Sequence, residues 1–147
     1  MNADGTASRK VAQGYTAQWA PSGNAIVFYK DRGDNMDKVY TFDLKSGTER
    51  LLTNDSLHNY YPSWTPDGEI IFSCTDRIHE DRKNIAGLYR MAADGSSKKK
   101  IGDIATWLAR MSPDGERIAF TRPNPEWNGS HVYIYELKTG KERRITN

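Results

Sequence analysis

Three histidines, one cysteine and a short acidic run are the side chains from which this chain would build a reactive centre. Acid–base and metal chemistry both need such groups to converge. His58, His79 and His131 fall at unrelated points of a pattern that repeats along the chain, so no common geometry gathers them. Cys74 stands alone, which excludes an internal disulfide framework and a multi-cysteine zinc site. Asp31, Asp34, Asn35 and Asp37 offer oxygens to calcium, yet they lack the spacing of a calcium-binding loop, and such runs serve turns. Arg32-Gly33-Asp34 and the sequon Asn128-Gly129-Ser130 are short motifs that recur by chance. The chain has no Gly-x-Ser-x-Gly elbow, phosphate loop, His-Glu-x-x-His or Cys-x-x-Cys. The expectation is no catalytic residue, no metal and no cofactor.

Recognition is the other chemistry open to these residues. Tyr15, Tyr60 and Trp107 occupy one level of the repeating pattern, with His58, Asn59 and Arg110 beside them. Aromatic faces gathered at one level stack on a sugar or a peptide side chain, or receive an extended peptide. The alternative is that they fill a narrow channel or pack between repeats. Trp19 and Trp64, each next to a turn proline, read as packing between repeats.

The elements that position these residues follow from the repeat. Gln18-Trp19-Ala20-Pro21-Ser22-Gly23, Ser63-Trp64-Thr65-Pro66-Asp67-Gly68 and Arg110-Met111-Ser112-Pro113-Asp114-Gly115 align without gaps, their prolines 45 and 47 residues apart. Proline presets φ and glycine accepts positive φ, so each hexamer ends in a tight turn. A short apolar run ending in Phe28, Phe72 or Phe120 follows each turn. Next come a polar loop, a tyrosine-containing run, a small turn and a basic strand. No stretch sustains a helical period, so each unit predicts four antiparallel strands. They are expected near 14–20, 58–65 and 105–111, then 24–30, 69–75 and 116–122, then 37–44, 86–92 and 131–137, and last 47–53, 97–101 and 141–146. A four-stranded unit of this period signals a propeller blade.

Trp64-Thr-Pro-Asp-Gly-Glu-Ile-Ile-Phe72 and Met111-Ser-Pro-Asp-Gly-Glu-Arg-Ile-Ala-Phe120 resemble the repeats of TolB-type six-bladed β-propellers. Ser22 replaces aspartate in the first copy and Met111 replaces tryptophan in the third, both at turn and packing positions. The resemblance implies an all-β fold of three four-stranded antiparallel blades, half of a six-bladed ring. It says little about function, because such repeats serve assembly proteins, peptidase propellers and polysaccharide-active proteins alike.

The expected division is 14–53, 54–102 and 103–147 for the blades. Residues 1–13 match the region around 91–101 and read as an outer strand of a preceding or partner blade. Three blades leave two apolar end faces. A homodimer would close them into a six-bladed ring, one terminal strand sealing each junction, and the rival is a fragment of a longer propeller. The function expected is a non-catalytic scaffold binding a protein segment or small ligand on its long-loop face. The alternative is a carbohydrate- or peptide-processing enzyme at the channel mouth.

Composition narrows the partners. A net charge of +2 argues against a nucleic-acid binder, and the basic residues Lys98–Lys100 and Arg143-Arg144 lie on outer strands. The longest apolar runs, such as Ala25–Tyr29, are too short for membrane insertion, and the start carries no signal-peptide pattern. Four tryptophans and eight tyrosines argue against disorder.

Overall fold

The computed structural model describes residues 9–75, 87–106, 108–124, 126 and 128–146. Strands β1 (Tyr15–Trp19), β2 (Ala25–Asp31), β3 (Asp37–Asp43) and β4 (Glu49–Leu51) pair in chain order into one antiparallel sheet. Strands β5 (His58–Trp64), β6 (Ile70–Thr75), β7 (Gly87–Met91) and β8 (Lys99–Ala105) make the second. Strands β9 (Ala109–Met111), β10 (Arg117–Pro123), β11 (Ser130–Glu136) and β12 (Lys141–Arg144) make the third. Among the described residues no helix is long and apolar enough to cross a membrane.

The turns work as their residues dictate. Gly68 takes φ +83 and donates its N–H to the Thr65 carbonyl at 3.0 Å. The Thr65 hydroxyl bonds the Asp67 carboxylate at 2.5 Å and accepts the Glu69 N–H at 2.9 Å, so the motif residues are consumed in closing the turn. Ser112 and Asp114 repeat this closure in the third sheet.

Successive strand residues point to opposite faces, and this alternation builds the core. Every residue of β6 is buried, because both faces of the middle sheet are covered. Ile70, Phe72, Cys74 and Met91 meet Val27, Val39 and Leu52 of the first sheet, with Trp64 packed alongside. On the other face Ile71 and Leu88 meet Ile118, Phe120 and Ala109 of the third. Burying a side chain the size of Phe72 stabilises the fold by about 1.5–3 kcal/mol. Ser73 adds a directed link, its hydroxyl donating to the Thr106 carbonyl at 3.0 Å.

Strand bounds follow the repeat within a few residues except between β8 and β9. The repeat predicts an outer strand ending at 101 and an inner strand starting at 105, but β8 runs to Ala105 and β9 begins at Ala109. The extra residues are absorbed in a bulge around Gly102, at φ +49, which lets both Ile101 and Ile104 reach the core. The loops after β2 and β10 are also shorter than the pattern implies, because their ladders extend to Asp31↔Asp37 and Pro123↔Ser130. Of the connection expected at 75–87, residues 76–86 lie outside the described residues, as do the first eight of the expected outer strand 1–13. Residues 9–14 form no strand, and Gly14 is packed so closely that a Cβ there would collide with the Phe28 ring.

Candidate functional site

The inner strands β1 and β5 carry the aromatic level. Trp19 pairs with Ile26 and Trp64 with Ile70, while Tyr15 pairs with Tyr29 and Tyr60 with Ser73. Tyr15 and Tyr60 therefore stand at one register. Each strand is bulged just beyond its tyrosine, and the bulged residues Thr16 and Tyr61 both sit at φ +50. A bulge re-aims the side chain it carries. Here Tyr61 turns onto Tyr29, their ring centroids 5.4 Å apart. Tyr29 also contacts Tyr15 at 5.4 Å and Tyr60 at 5.7 Å, so it joins the two inner strands.

Burial divides this group. Tyr15 is 62% exposed and Tyr60 only 3%. Burial, with Tyr61 and Asp37 adding to it, pushes the Tyr29 phenol well above its ordinary range. Burial first and Asp37 second push Tyr60 up to about 12. Both phenols stay protonated near neutral pH and can donate hydrogen bonds. His58 is buried and stacks on Tyr60 at 5.7 Å. Its Nδ1 accepts the Asp37 N–H at 3.5 Å and lies 3.7 Å from the Asp37 carboxylate.

The other expected site residues sit apart from these rings. Asn59 is fully buried, its amide N–H groups donating to the Asp55 carboxylate at 3.0 Å and the Leu57 carbonyl at 2.9 Å. Its Oδ1 has no partner among the described residues. Arg110 lies on β9, donates to the Ala109 carbonyl at 2.8 Å, and has its pKa lowered by burial. Trp107 lies outside the described residues, as does His79.

A second polar group lies between the first two sheets. The buried Lys38 ammonium donates to the Asp55 carbonyl at 2.6 Å and the Leu57 carbonyl at 2.5 Å, clamping the β4–β5 connection. The Asp55 carboxylate accepts Lys98 at 2.5 Å. Burial alone would raise the Asp55 pKa, but hydrogen bonds from Lys98, Asn59 and the Leu57 N–H hold it at about 2. Lys98 also lies 3.3 Å from Cys74 Sγ, and burial nevertheless pushes that thiol up.

One arrangement recurs in all three sheets. A phenylalanine and a tyrosine on the two central strands pack ring to ring under a cation. Lys30 stands 4.5 Å from the Tyr40 centroid, Lys98 4.9 Å from Tyr89, and the Arg122 guanidinium 4.7 Å from Tyr133. Each cation is held by a carboxylate, from Glu49, Asp55 and Glu142 respectively. Such a cap gives roughly 0.5–2 kcal/mol depending on desolvation. Lys30 and Arg122 lie two residues after their phenylalanine, where the middle sheet has Cys74 instead. Lys98 reaches the same spot from the residue just before the outer strand β8. Tyr29, Tyr61 and this cap were not legible as site residues, and Asp37 was singled out only as an oxygen donor to calcium. The bulges have no glycine or asparagine to announce them, whereas the Lys30–Cys74–Arg122 column is visible in the aligned repeats.

Known proteins share this architecture. Residues 3–147 match the TolB beta propeller domain. An uncharacterised protein of Agrobacterium fabrum is 31% identical over 108 residues, which are 72% of this chain and 35% of that protein. The Tol-Pal system protein TolB of Francisella tularensis subsp. mediasiatica is 31% identical over 86 residues, 58% of this chain and 19% of its own. A solved structure provisionally assigned as TolB from Agrobacterium tumefaciens superposes with a TM-score of 0.74 at 23% identity, covering 92% of this chain and 51% of that one. TolB from Acinetobacter baumannii gives 0.64 at 23% identity, covering 89% and 32%. The chain thus spans about a third of the first curated relative and half of the first solved chain. Three antiparallel four-stranded sheets in chain order, with the Pro-x-Gly turn in each, are blades of this fold, and the chain belongs to the TolB β-propeller domain family.

Proposed function

We propose that this chain is a non-catalytic binding scaffold that supplies three blades of a six-bladed ring. Its ligand is a peptide segment or a small molecule received at the tyrosine-lined mouth. The observation that carries the reading is the repeated bulge. Two inner strands each hold a non-glycine residue at φ +50 at the same register, beside Tyr15 and Tyr60. That geometry costs energy, and such cost gathers where side chains are aimed for function. The bulge directs Tyr61 to Tyr29, leaving Tyr15 as the exposed member of a stacking surface.

Two further observations support the non-catalytic part. His58 is buried against Tyr60 and engaged with Asp37. Cys74 is a buried thiol with a raised pKa, the opposite of an activated nucleophile. The match to half of a longer propeller chain supports the ring.

The test is a panel of immobilised peptides and neutral oligosaccharides, read by interferometry against the wild type, Tyr15→Ser and Tyr61→Ser. Binding that both substitutions weaken at least roughly tenfold, with unchanged circular dichroism, supports a stacking mouth. Binding indifferent to both sinks it. Turnover of any member would make the protein an enzyme instead.

A further inference from the structure

We infer that the ligand of the tyrosine-lined mouth carries an organic cation, an alkylammonium group received by Tyr29, Tyr60 and Tyr61 beside the Asp37 carboxylate. The inference rests on the reading of that mouth as a binding site and names the chemistry of what enters it. These residues all lie at the seam between the first and second blades, where both sides of the contact belong to this chain.

The rings form a corner. Tyr29 of β2 and Tyr61 of β5 have centroids 5.4 Å apart and planes inclined at 65°. Tyr60 meets Tyr29 at 5.7 Å and 86°, and Tyr61 at 6.1 Å and 38°. Rings this close and this steeply inclined do not make a stack. A cation seated against them can stand within about 6 Å of each centroid, the range in which the negative face of an aromatic ring attracts it.

The corner is also negative. Asp37, at the start of β3, has a carboxylate side chain that is 24% exposed. Burial comes first in raising the Tyr29 and Tyr60 phenols, and the negative potential of Asp37 adds to both. The Tyr60 hydroxyl is also hydrogen-bonded to that carboxylate. Among the described residues no lysine or arginine lies within ion-pair distance of Asp37. Its neighbour Lys38 is turned to Asp55. His58 meets it at 3.7 Å through the same Nδ1 that accepts the Asp37 N–H.

Elsewhere the chain supplies its own cations. The Phe–Tyr pair of each blade carries Lys30, Lys98 or Arg122, each held by a carboxylate. None of these three stands over Tyr29, Tyr60 or Tyr61. At the mouth the described residues bring the rings and the carboxylate without the lysine or arginine. Packing alone does not ask for such rings. At the next seam the register place of Tyr29 is held by Ser73, whose hydroxyl donates to the Thr106 carbonyl at 3.0 Å, and a mainly aliphatic core joins the blades.

The experiment is calorimetric titration of the whole chain with choline and with dimethylbutanol, its uncharged carbon isostere. A lysine-containing peptide and its norleucine counterpart are run beside them. Choline should bind roughly tenfold or more tightly than the isostere, because only the cation gains from the ring faces and from Asp37. Asp37→Asn and Tyr61→Leu should each remove most of that preference, whereas Tyr61→Phe, which keeps the ring, should retain it. Circular dichroism and the urea midpoint check that each variant is folded. Tighter binding of the lysine peptide than of choline assigns the cation to a polypeptide, and the reverse assigns it to a small amine. Equal binding of charged and uncharged members overturns the inference, as does failure of both cations to bind, or a preference that ignores Asp37→Asn and Tyr61→Leu. Equal binding that still falls in Tyr15→Ser removes the cation and leaves the stacking mouth standing.

Discussion

Thr16 and Tyr61 share a backbone geometry in which Cβ crowds the following carbonyl, at roughly 1–2 kcal/mol for an L-residue. Thr16 is exposed, so its cost can be tested apart from packing. Thr16→Gly should raise stability by about 0.5–1 kcal/mol, the relief exceeding glycine's entropy penalty, read as a higher urea midpoint at unchanged slope. A lower midpoint would mean that the threonine side chain braces the bulge. Asp55 gives a pH dependence. Its folded carboxyl lies at about 2, below the ordinary 3.8, so the stability it contributes is complete above 3.8 and fades as pH falls through 2. Asp55→Asn should cost about 1–3 kcal/mol at neutral pH and flatten stability between pH 4 and 2, measured by urea titration at each pH. Some acid dependence should persist, because the Ser112 hydroxyl, the Glu116 N–H and Arg117 also hold Asp114 at about 2.

Strands and turns were the most legible level, since Pro21, Pro66 and Pro113 anchor the repeat and everything within a few residues of them follows. The same anchor put Tyr15 and Tyr60 at one register. It could not tell that Tyr60 is buried and Tyr15 exposed, because that depends on whether a blade precedes the strand. The β8–β9 junction was misread for a related reason: Gly102 permits a bulge, and no local signal says where the strand then ends. The outer turns of the first two blades should also respond differently to one change. Gly95→Ala meets both a positive φ and the Leu52 backbone, whereas Gly47→Ala meets only the φ. The first should cost at least about 1 kcal/mol more than the second, by thermal melting.

Across the whole molecule, burial falls from the middle blade outward: β6 is buried throughout and β12 is exposed throughout. Amide exchange should follow, slowest in β6 and β7 and fastest in β1 and β12, as measured by mass spectrometry. Uniform protection across the blades would contradict this gradient. The middle blade differs in charge as well as depth. Where Glu49 and Glu142 stand across from Phe42 and Tyr135, the second blade has Lys98, and Asp55 of the preceding connection seeks it out. Asp55 pressed against the first or third blade would instead meet a glutamate. Like charges brought together in a partly buried contact are rejected. A lysine where the other two blades carry glutamate therefore makes the contact between the first and second blades an attractive one that those glutamates would not reproduce.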